Sequence, residues 1–169
     1  MAQQTPTGEK AALLDHLNGQ RRHVLGILEG LSEEDLRRPV LPSSWTCLGL
    51  VQHLALDVER FWFRAVIAGE RAIIDGLEDT GNAWEVSPEA SAEEIFGLYR
   101  QEIDRANAVF AGATLEAQPA WWPDFFGNWR LENVREVILH VIAETACHAG
   151  HLDVVRELID GRTWMILTE

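Results

Sequence analysis

Residues Leu131–Ile159 read LENVREVILHVIAETACHAGHLDVVRELI, and Gly161 follows as a stop signal. At about 100° per residue, Val134, Val137, Val141, Leu152, Val155 and Ile159 cluster around one direction, the mark of a helix face turned into a core. His148 projects near the middle of that apolar arc, and Glu144, one turn earlier, lies only about 40° away. His140 and His151 fall on the adjoining flank, so four potential ligands share about 80° of one helix. A lone carboxylate pointing inward costs on the order of several kcal/mol unless it is paired, protonated or bound to a cation. Glu144 therefore needs a partner.

Three more helices are read outward from this one. The first runs from Gly8 to Glu29, where Leu14, Leu17, Val24, Leu25 and Leu28 recur at helical spacing before Gly30. Ser32-Glu33-Glu34-Asp35 starts a short turn of helix, and Pro39 and Pro42 force an irregular crossing. The second long helix spans Thr46 to Ala68, with Cys47, Val51, Leu54, Val58, Phe61 and Ala65 on its apolar face. From Gly69 to Ala90 the glycines and Pro88 break any period, so this is read as a long connection. The third helix opens at the capping box Ser91–Glu94 and ends at Gly112. Between the third and fourth helices, Trp121-Trp122-Pro123-Asp124-Phe125-Phe126-Gly127-Asn128-Trp129 holds too many rings to be left in water, and packing is expected there before a substrate lid. After Gly161 comes a short apolar tail, Arg162–Leu167. The expectation is an all-α, single-domain four-helix bundle over residues 1–169 with a long crossover, in which inward-facing side chains build the site.

A divalent metal satisfies Glu144 and neutral imidazole together, and a carboxylate and a histidine one turn apart on a helix form a recurrent ligand pair. The third ligand must come from elsewhere; His53 is the natural candidate, although it lies at the flank of its helix's apolar face. Ion pairing of Glu144 with Arg22, Arg130 or Arg135 is the competing reading. No His-Glu-x-x-His motif is present, and no Glu-x-x-His pair occurs twice, so one metal is expected rather than two. Two imidazoles and a carboxylate suit zinc first, with nickel, iron or manganese as alternatives.

Twenty-seven acidic against fourteen basic side chains give a formal charge of -13, which repels a phosphate backbone and argues against nucleic acid as a partner. The opening MAQQTPTGEK has no basic start or apolar stretch, and no segment offers the roughly 18 uninterrupted apolar residues of a membrane span, so a cytoplasmic protein without membrane association is expected. Cys47 and Cys147 form no CxxC pair; both are read as buried thiols inside helices.

Ser44-Trp45-Thr46, Leu50-Val51-Gln52-His53-Leu54 and Val58-Glu59-Arg60-Phe61-Trp62-Phe63 resemble the mini-circle-protein branch of the DinB-like superfamily. Leu139–Asp153 and Arg156–Gly161 are similar to the second signature of that branch. The resemblance implies a four-helix bundle, often a homodimer, with one metal held by His53, Glu144 and His148. Many relatives carry histidine where this chain has Glu144, whereas the related mycothiol-dependent maleylpyruvate isomerases use the same His, Glu, His set. It also implies a metal-dependent transferase or isomerase working with mycothiol, bacillithiol or glutathione on a small-molecule substrate. With 169 residues and no sign of the isomerases' second domain, maleylpyruvate itself is not the expected substrate. The resulting expectation is an S-transferase in which the metal ionises a low-molecular-weight thiol and His151 or His140 orients a ligand or shuttles a proton. A water-activating hydrolase and a non-catalytic metal-binding bundle stand as alternatives.

Overall fold

Side-chain caps set where the helices of the computed structural model begin. The structure describes residues 8–79 and 81–164; the first seven residues of the opening segment and Met165–Leu167 of the apolar tail lie outside them. Helix α1 covers Glu9–Leu28 and α2 is the short Glu33–Arg37, capped by Ser32. Thr46 accepts the Gly49 N–H at 3.0 Å and starts α3, Cys47–His53, which runs on as a π-helix over Leu54–Ile67. Helix α4, Arg71–Asp75, and a 3₁₀ turn, Leu77–Asp79, occupy part of the connection that the broken period left without structure. Ser91 and Glu94 form the expected capping box of α5, Ala92–Gly112. Helix α6, Val134–Asp160, is capped by Asn133, which accepts the Glu136 N–H at 3.0 Å. It therefore starts three residues later than Leu131, and it ends on Gly161 at φ 78°.

The four long segments pack as α1 against α6 and α5 against the π-helix, with α6 also touching the π-helix and α3 touching α5. Leu17 and Val24, Leu50 and Val58, Tyr99 and Phe110, and Val141 and Leu152 meet in the centre, one pair from each long segment. Among the described residues there is no strand, so the all-α expectation holds. No described helix is long and apolar enough to cross a membrane.

The second long helix departs from a regular α spacing. Its amides reach five residues back at the end, as Ala68 N–H does to Phe63 O at 2.9 Å. The wider turn brings Val58, Phe61, Trp62, Phe63, Val66 and Ile67 all into the interior, a set that no single α-helical stripe would bury. The cysteine expectation is half corrected: Cys47 is buried, but Cys147 is exposed because it lies on the side of α6 away from the bundle.

Candidate metal centre

Helices α3 and α6 bring the three expected ligands together. His53 is the last α-helical residue before the π-helix, and Glu144 and His148 are one turn apart on α6. One ligand atom from each of His53, Glu144 and His148 falls within 4.8 Å of the others. The His53 Nε2 to Glu144 Oε1 distance is 3.8 Å. Metal bonds of roughly 2.0–2.2 Å need ligand atoms slightly closer than this triangle's widest edge, a closure within the reach of small side-chain rotations.

The environment of each group suits a cation. His53 turns Nδ1 to Asp57 Oδ2 at 2.9 Å, leaving Nε2 for the centre, the carboxylate–imidazole arrangement that orients metal-binding histidines. His148 Nδ1 is buried with no hydrogen-bond partner among the described residues. Burial, reinforced by the neighbouring His53, pushes the His148 imidazole down to about 4, so it is neutral at neutral pH, as a metal ligand must be. Burial would push the Glu144 carboxyl up, but the hydrogen bond from His140 and the imidazoles of His140, His53 and His148 outweigh it and hold it below the ordinary carboxylate range. Two imidazoles, one of them with an orphaned buried nitrogen, and one carboxylate fit a divalent ion.

The arginine alternative does not hold: among the described residues Glu144 pairs with His53 and His140 and with none of Arg22, Arg130 and Arg135. Arg135 is engaged by Glu9 and Glu116, and Arg130 lies over the Trp122 ring. Glu144 instead meets His140, whose Nε2 lies 3.2 Å from Oε2. His140 thus touches the centre directly. His151 is exposed, with its ring 5.6 Å from that of His148 and 6.3 Å from Trp45, at the rim rather than in the triangle.

Trp84 is the site residue that the sequence reading missed. Its ring lies 4.3 Å from His53, nearly parallel, and 5.7 Å from His148. A large ring between Asn82 and Glu85, in a connection without a period, is the one signal the sequence offers. The Trp-rich segment packs as expected, on Phe61 and Trp62, and is tied there by Trp121 N–H to Val66 O at 3.2 Å. It also walls a cleft of about 440 Å³ whose polar end is Asp57, His140 and Glu144.

The sequence matches the mycothiol-S-transferase family model over residues 12–161. The chain belongs to this family. The matched span includes all three members of the triangle as well as Trp84 and the aromatic segment. Membership of the mycothiol-S-transferase family agrees with the DinB-like resemblance, and it favours a thiol rather than water as the co-reactant. No curated protein matches the chain.

Proposed function

We propose that this protein is a metal-dependent S-transferase that joins a low-molecular-weight thiol, mycothiol in the first instance, to an electrophilic small molecule. The observation that carries the reading is the convergence of His53, Glu144 and His148 inside a chain of the mycothiol-S-transferase family. These three residues would hold one divalent ion, zinc before nickel, iron or manganese, with a position left for the thiol. A thiol held against such an ion has its pKa lowered from near 8.5, so that thiolate dominates at neutral pH.

The chain's own residues supply the rest. Asp57 fixes the ring of His53, Trp84 covers His53 and His148 against water, and His140 stands 3.2 Å from Glu144 at the polar end of the cleft, placed to take the thiol proton. Sulfur then forms a bond to the electrophilic carbon, the leaving group departs with its bonding electrons, and the proton passes through His140 to solvent.

Elemental analysis of the purified protein, His148→Ala and Glu144→Gln, run beside thiol conjugation with mycothiol, bacillithiol and glutathione, tests the reading. The expected result is about one metal per wild-type chain. Both variants should lose metal and activity by more than the roughly 10–100-fold that disturbing a ligand's supporting hydrogen bond costs. A metal-free wild type with His148→Ala indistinguishable from it would leave a non-catalytic bundle.

A further inference from the structure

The cleft beside Glu144 has a composition the metal centre alone does not explain. At about 440 Å³ it falls in the size range of small-molecule sites, roughly 300–1,000 Å³. Its walls are rings from two separate parts of the chain: Phe61 and Trp62 from the π-helix, and Phe125, Phe126 and Trp129 from the aromatic segment. Trp62 and Phe126 are stacked almost parallel, 5° apart at 5.8 Å, and Trp129 stands at 90° to Phe126 at 5.0 Å. Phe125 is held at 70% exposure, a cost in water that contact with an occupant would relieve. His140 joins the two ends: its ring lies 4.7 Å from Trp62 and 5.4 Å from Trp129, and its Nε2 meets Glu144. Among the described residues no arginine or lysine lines the cleft, while Asp57 and Glu144 do.

We infer that this cleft seats the electrophile and selects a flat, apolar molecule of one or two rings. Flat rings gain edge and face contacts with the walls. That the occupant is an electrophile rests on the S-transferase reading; that the cleft binds flat apolar molecules does not. With an aryl halide as occupant, the thiolate sulfur bonds to the ring carbon, the carbon–halogen bond breaks and halide leaves with the electron pair.

The test uses the full chain and N-phenyl-1-naphthylamine, an uncharged fluorescent probe. Trp129→Ala and Phe125→Asp alter side chains that are 43% and 70% exposed, so the fold should survive, as circular dichroism would verify. The inference expects saturable probe binding, at least about tenfold weaker in both variants. It also expects the KM for 1-chloro-2,4-dinitrobenzene to rise while the KM for the thiol and the metal content hold. Probe binding that ignores both substitutions overturns it, as does a native dimer that these substitutions split and that admits no probe. If conjugation continues with an unchanged KM, the inference falls and the S-transferase reading stands. If the variants weaken probe binding but no thiol is ever conjugated, the S-transferase reading falls and the cleft remains a binding site.

Discussion

Trp84 lies flat on His53, ring centroids 4.3 Å apart and planes 19° from parallel. The loop that carries it is clamped to α3: the Gln52 side-chain amide donates to Ala83 O at 2.8 Å and Glu85 O at 3.2 Å, and Trp84 N–H donates to Asn82 Oδ1. Gly49 permits the approach, because a Cβ there would fall 2.4 Å from the Trp84 carbonyl oxygen. His53 is thus held by Asp57 at one nitrogen and by an indole across its face.

Removing the indole frees the ring. Trp84→Leu is expected to weaken metal binding by about tenfold, toward the low end of what losing a ligand's support costs, and Trp84→Phe should recover most of it. Gly49→Ala should reproduce the loss by pushing the loop away. Competition against a chromophoric chelator measures all three, and a Trp84→Leu protein that binds metal like wild type would show that the stacking does not position His53.

The sites of legibility and blindness differ for physical reasons. The inward direction of Glu144 and His148 was readable because α6 is a regular α-helix whose apolar arc includes Val137, Val141 and Leu152. His53 was placed only at a flank, since the helix widens at Leu54 and a wheel of constant angle misjudges the residues beyond that point. Trp84 belongs to a connection in which Gly76, Gly81 and Pro88 erase the period, so its contact with α3 depends on tertiary packing alone. Charge alone offers Glu144 an arginine partner; the fold shows Arg135 taken by Glu9 and Glu116 instead.

A second buried arrangement sets a stability prediction. Arg21 grips Glu59 with Nε at 2.7 Å and a terminal nitrogen at 2.6 Å, both side chains almost wholly out of water. Its other terminal nitrogen reaches Asn18 and Asn107. Burial pushes the Glu59 carboxyl up and Arg21 opposes it. Breaking such a pair strands a charge, so Arg21→Met or Glu59→Leu alone should cost roughly 3–5 kcal/mol, and the double variant should be much closer to wild type. Urea unfolding with an unchanged m-value would measure this; single variants costing under about 1 kcal/mol would refute it.

The two thiols give a final prediction because the fold treats them oppositely. Cys47 is 1% exposed on α3, and Cys147 is exposed on α6. At pH 7 a maleimide should label one thiol per native chain and two in urea, and Cys147→Ser should abolish the native label. Burial pushes the Cys47 thiol up to about 11, from 9.0 in the open chain. The unfolded form therefore loses its proton first, so this stabilising contribution is complete below pH 9 and fades as pH climbs toward 11. By pH 10 the loss should be about 1 kcal/mol. The buried Tyr99 phenol, also raised by burial, acts in the same direction only above pH 10, which keeps the window from 9 to 10 specific to the thiol. Cys47→Ala should be less stable throughout but flat across that window; an alkaline slope equal to that of wild type would assign the effect to another group.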